Sequence, residues 1–110
     1  MAKIEASVIL PLFRSEHIAW LALEGYSRQN HISFDWELVV AEEQNSGEVF
    51  GERAVKAYAD RLFSVGCKQI KYIPLKKWVP LGTKYNIMAK AIDDDSRIWV
   101  HSAADYYPAP

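Results

Sequence analysis

The sequence predicts an α/β protein: one open, mainly parallel sheet of four strands with helices packed on its faces. Three observations carry this. Four short runs rich in β-branched and apolar residues are bounded by Pro, Gly or polar clusters, as buried strands are. Between them lie three longer segments whose apolar residues recur at helical spacing. The order is therefore βαβαβαβ, and each connection is long enough for a helix to carry the chain back to a parallel neighbour, a crossover that is nearly always right-handed.

The first strand is Ile4–Leu10 (IEASVIL). Pro11 ends it by removing a ladder donor, and Leu12–Arg14 is its exit loop. Ser15 is placed to cap the first helix through its hydroxyl. Ile18, Leu21, Ala22, Gly25 and Tyr26 form one face of that helix, where Gly25 implies close packing on the sheet. Gln29–Ser33 is a loop. The second strand is Asp35–Ala41 (DWELVVA), followed by a polar turn through Glu42, Glu43, Gln44, Asn45, Ser46 and Gly47. A long helix then runs from Val49 towards Val65. Its stripe is Ala54, Val55, Tyr58, Ala59, Leu62 and Phe63, and Gly66 stands where a left-handed C-terminal cap belongs. Lys68–Leu75 is the third strand, with Ile70 and Tyr72 on one face, and Lys76–Pro80 is a loop. The third helix, Leu81–Ile92, presents Leu81, Tyr85, Met88, Ala89 and Ile92 on one side. Asp93–Ser96 turns the chain into the fourth strand, Arg97–His101.

Residues 1–110 are expected to form a single domain, large enough to bury roughly 65% of the surface of the unfolded chain. A formal net charge of −1 offers no footprint for nucleic acid or an anionic membrane. No apolar run approaches the roughly 20 residues that span a bilayer. The start, MAKIEASVIL, lacks the pattern of a signal peptide. The lone Cys67 excludes an intrachain disulfide and a cysteine-cluster zinc site, and is expected to be packed. A cytoplasmic location is the expectation.

In open parallel sheets ligands bind beyond the carboxyl ends of the strands. Four loops meet there: Pro11–Arg14, Glu42–Asn45, Leu75–Lys77 and Ser102–Asp105. That rule sorts the acids. Asp93, Asp94 and Asp95 precede the fourth strand, so they belong to the opposite end and form a solvated turn. Glu42, Glu43 and Asp105 are at the correct end. Either glutamate is an ordinary polar exit residue or a carboxylate that accepts hydrogen bonds from a base or ribose. Asp105 either caps its own turn or faces a metal. His101 is structural, and His17 and His31 are isolated, so no zinc pattern exists. Lys76, Lys77 and Trp78 mix base and aromatic as phosphate binders do, although a surface loop explains them equally. The absence of GxSxG, Walker and GxGxxG patterns argues against hydrolases, P-loop enzymes and NAD dehydrogenases. A receiver domain would want acids where Pro11–Arg14 stand.

The succession SVILPLFRSEHIAWLALEGYSRQN, WELVVAEEQN, a Gly-Cys turn into KYIPL, LGTKYNIMAKAI and RIWVHSAADYYP resembles the N-terminal half of family 2 glycosyltransferases of the GT-A fold. The resemblance covers nearly the whole chain and keeps order and spacing, with no single decisive motif. It implies a Rossmann-like sheet of strand order 3-2-1-4 and a domain that binds a nucleotide-diphosphate sugar, most readily a UDP-sugar, for transfer to an acceptor. By resemblance, Pro11 and Phe13, with the adjoining Arg14, lie against the nucleotide. Glu42 and Glu43 match the aspartate pair after the second strand, whose second member approaches the uracil or ribose. Lys84 and Asn86 match a basic and an asparagine position of the third helix region.

Ser102 and Ala104 fall where the family carries the two aspartates of its DxD motif, and Asp105 matches the following acid. Those aspartates hold the Mn²⁺ or Mg²⁺ that bridges the donor diphosphate. Hard cations need oxygen ligands, so metal-assisted transfer loses its usual anchor here and Asp105 is left as a weak one. Taken alone, the chain is expected to be inactive, with chemistry completed by groups supplied elsewhere. The other reading is a non-catalytic α/β binding or assembly module derived from a glycosyltransferase. In either case the apolar fourth strand would be an edge, so a second copy or a further chain is expected to cover it.

Overall fold

The computed structural model describes residues 4–12, 16–28, 35–43 and 50–102; of residues 16–19, 21, 50 and 51 only the backbone is described. Phe13, Arg14, Ala104 and Asp105 lie outside the described residues. So do Ser15 and its cap, the stripe side chains of Ile18 and Leu21, His17 as a side chain, His31, the loop 29–33 and the turn residues 44–47.

Four strands and three helices alternate as the periodicity predicts: β1 (Ala6–Leu12), α1 (Glu16–Ser27), β2 (Trp36–Glu43), α2 (Phe50–Ser64), β3 (Cys67–Leu75), α3 (Leu81–Ala91) and β4 (Ile98–His101). All pairings are parallel and the order is β3-β2-β1-β4. Among the described residues no helix is long and apolar enough to cross a membrane.

The period-2 alternation of a strand divides the core in two. Val8, Leu10 and Leu12 of β1 and Trp36, Leu38 and Val40 of β2 face one way, with Ile70 and Tyr72 of β3. They pack on Ala22, Leu23 and Tyr26 of α1 and on Ala54, Val55, Tyr58 and Leu62 of α2. Ile9, Val39 and Ala41 face the other way, with Ile73 and Leu75, and are covered by Tyr85, Met88 and Ile92 of α3. Helices therefore cover both faces. Burying each of the core leucines contributes about 2–3 kcal/mol. Gly25 is buried, in line with its place on the α1 face. Gly66 caps α2 at φ 103°, a left-handed conformation that glycine adopts without a Cβ clash.

Four local expectations are corrected. Pro11 does not end β1, which continues through Leu12 with Pro11 paired to Ala41. The missing N–H is tolerated because residues of one parity point to one neighbour. Glu5 and Ile9 turn their carbonyls to the β4 side, where Ile9 accepts from Ser102 N–H, and β4 has left the ladder by Pro11. Glu42 and Glu43 are not in a turn. They are the last two residues of β2, paired with Pro74 and Leu75, because each carboxylate finds a partner inside the protein.

In α3 the buried residues are Lys84 and Met88, followed by Ile92, whereas Leu81 is 55% exposed. Lys84 already meets the last residues of β1 and β2, so Leu81, one turn earlier, has no strand beneath it. Phe63 is also exposed, about 100° around α2 from the buried Leu62.

Candidate functional site

The carboxyl end of the sheet is built from the last residues of β1 and β2, the β3–α3 connection, the first turns of α3 and the residue after β4. At its centre is an ion pair. Lys84 Nζ lies 2.5 Å from Glu43 Oε1 and donates to Leu12 O at 3.0 Å. The Lys84 side chain is 4% exposed and that of Glu43 is fully buried. Glu43 Oε2 accepts from Val79 N–H at 3.4 Å. Oε1 is in ionic contact with Lys84 but receives no well-aligned hydrogen bond among the described residues.

Neighbouring strand residues point to opposite faces, so Glu42 cannot join this pair. Its Oε1 accepts from Tyr72 Oη at 2.6 Å on the α1–α2 side of the sheet. The two glutamates, both expected as nucleotide-binding residues, are therefore separated by the sheet itself.

The structure brings Glu43 and Lys84 together and sets Pro11, half-buried, one residue before the Leu12 carbonyl that Lys84 holds. It does not bring Asn86 to them. Asn86 is two residues beyond the buried Lys84, about 200° around α3, and is exposed. Ser102 is buried beside β1, its N–H donating to Ile9 O at 2.9 Å, and its Oγ has no hydrogen-bond partner among the described residues. Lys76, Lys77 and Trp78 are exposed at the rim. His101 stacks its ring 5.0 Å from that of Tyr85.

The fit of a divalent cation can be tested on the donors present. Ser102 offers one neutral hydroxyl. Among the described residues no three His, Cys, Asp or Glu side chains converge as a metal site. Hard cations need several charged oxygens, so the described donors do not fit one. The buried Cys67 thiol is pushed up to about 12 by desolvation and is inert at neutral pH.

Sequence reasoning missed one buried acid. Glu37, near the start of β2, is fully buried at the amino end of the sheet. Its Oε2 accepts from Ser7 Oγ at 2.6 Å and Asp93 N–H at 2.8 Å. Its Oε1 accepts from Gln69 Nε2 at 2.9 Å and lies 3.0 Å from Lys71 Nζ. Burial pushes its carboxyl up, but the donors from Asp93, Ser7, Lys71 and Gln69 outweigh that and hold it below the ordinary value. The available signal was a lone acid in an apolar strand, flanked at paired strand positions by Ser7 and Gln69, with Lys71 two residues further along β3. The contact also fixes the aspartate run at the amino end, as the strand-end rule requires, with Asp94 and Asp95 exposed.

Crystal structures of S. aureus TarS, a glycosyltransferase, are similar to this chain in fold. One matches with a TM-score of 0.75 at 20% identity, covering 94% of this chain and 28% of that chain, a TarS 1–349 fragment. Another matches with a TM-score of 0.70 at 20% identity, covering 93% and 17%. The likeness is one of fold: a four-stranded parallel sheet with helices on both faces. This chain spans less than a third of either TarS chain. No family model matches the sequence, and neither does any curated protein.

Proposed function

We propose that this domain binds a nucleotide-diphosphate sugar, most readily a UDP-sugar, as the donor-binding part of a cytoplasmic glycosyltransferase. The observation that carries the proposal is Glu43. It places a buried carboxylate, held by the Lys84 ammonium and by Val79 N–H, at the carboxyl end of the sheet. An ionised carboxylate can accept more than one hydrogen bond at each oxygen, so it suits the N–H of a base or the hydroxyl of a ribose, and a hydrogen bond to a charged group contributes about 1.5–3 kcal/mol. Pro11, with Phe13 and Arg14 beyond it in sequence, would border the base. Transfer moves the sugar from the diphosphate to an acceptor hydroxyl, and none of the described residues is assigned as the base for that step.

A second reading has its own observation. Ser102 stands where the resembling family carries a metal-binding aspartate, which favours a binding or assembly module without transferase chemistry. Calorimetry with UDP, with and without Mn²⁺ or Mg²⁺, separates the two. The donor-binding reading expects UDP to bind, with similar affinity in both conditions, because Ser102 and Ala104 supply no carboxylate. An absence of binding by any nucleotide in either condition favours the module.

A further inference from the structure

We infer that Lys84 is the positioning residue of the crevice: it sets the geometry of Glu43 and of the surrounding chain ends without itself touching the nucleotide. The inference rests on the nucleotide-binding reading above.

One ammonium group joins three pieces of chain. Lys84 Nζ is held between Glu43 Oε1, at the end of β2, and Leu12 O, at the end of β1. Through Glu43 Oε2 the same pair reaches Val79 N–H in the β3–α3 connection. Four of the five segments that build this end of the sheet, the ends of β1 and β2, the β3–α3 connection and the start of α3, are thus tied to one ion pair. The Lys84 ammonium is committed to Glu43 Oε1 and Leu12 O, whereas a carboxylate still has acceptor sites to offer a donor.

Stability is a weak explanation of the arrangement. Desolvating two charges costs about as much as their attraction returns, and an apolar pair of similar volume would fasten α3 to the sheet as well. The pair does something an apolar pair cannot: it fixes the orientation of a carboxylate. Glutamate is long enough to reach across to α3, and Lys84 pins one oxygen while the other faces the β3–α3 connection. A carboxylate held in this way meets a nucleoside donor group with little further loss of rotamer freedom. Shortening Glu43 to aspartate would draw the carboxylate back from Nζ.

A double-mutant cycle on UDP affinity tests this. Calorimetry is run on the full chain for wild type, Glu43→Ala, Lys84→Met and the double variant, with thermal melting of each. If Lys84 acts through Glu43, each single change weakens UDP binding by about tenfold or more, and the double variant binds no more weakly than Glu43→Ala alone. Additive losses mean that Lys84 touches the nucleotide, which overturns the inference. A lower melting temperature for Lys84→Met with UDP affinity unchanged means that the pair is structural only, which also overturns it. If Lys84→Met fails to fold because Glu43 is left buried without a cation, the double variant, free of both charges, still decides by comparison with Glu43→Ala. Failure of the wild type to bind UDP or any other nucleotide removes the nucleotide reading itself, and the inference with it.

Discussion

At the scale of single residues, what matters is which way a side chain points. Glu42 and Glu43 are adjacent in sequence, yet one meets Tyr72 and the other Lys84 across the sheet. Only Glu43 shares a cluster with the ends of β1 and α3. Glu43→Ala is therefore expected to weaken UDP binding about tenfold, the size of one hydrogen bond to a charged group, whereas Asp94→Ala, at the opposite end, leaves it unchanged; calorimetry of the two variants checks this. Glu37 governs stability instead. Its carboxyl is held below the ordinary glutamate value of 4.5, so its contribution is present above that value and is lost as pH falls through the lower, folded-state value. Glu37→Gln removes the charge that Ser7, Asp93 N–H, Gln69 and Lys71 serve, while Lys71, one-third exposed, keeps Ala91 O and water, so the expected cost is about 1.5–3 kcal/mol at pH 7. Urea melts should show that gap narrowing below pH 4.5.

At the scale of elements, most of the fold was legible because it rests on periodicity. The strand runs and the helical stripes report burial directly, and Gly66 marked the end of α2 through a backbone need that only glycine meets cheaply. Gly66→Ala is expected to destabilise by about 1–2 kcal/mol, and Leu38→Ala, in the centre of the sheet, by about 3 kcal/mol; chemical denaturation measures both.

The ends of elements were less legible. Pro11 and the two glutamates are local signals against strand, and they were overridden by partners remote in sequence: the departure of β4 from the ladder, the Tyr72 hydroxyl and the Lys84 ammonium. Lys84 itself lies on the α3 stripe at four- and eight-residue spacing from Met88 and Ile92. A charged residue there carries no sign of burial until its acid is known. Half of the candidate site was thus readable as position, and its pairing only from the structure.

At the scale of the whole molecule, the strand order places β4 at the edge, with Ile98, Trp99 and Val100 exposed at 52%, 50% and 38%. No lysine, proline or inward charge blunts it within the strand. The edge is also self-complementary. With a two-fold axis through Trp99, Ile98 would oppose Val100 of a second copy in an antiparallel pair. Concentration-dependent association is therefore expected in sedimentation velocity, with Trp99→Lys shifting the chain to monomer; a wild type that stays monomeric at high concentration contradicts this.

The central claim concerns the other end of the sheet, where β1, β2 and α3 converge on Glu43 and Lys84. It is tested most directly by titrating UDP into the wild-type chain with and without Mn²⁺. Saturable binding of similar affinity in both conditions is the predicted result; no heat of binding in either, for UDP or any other nucleotide, would contradict it.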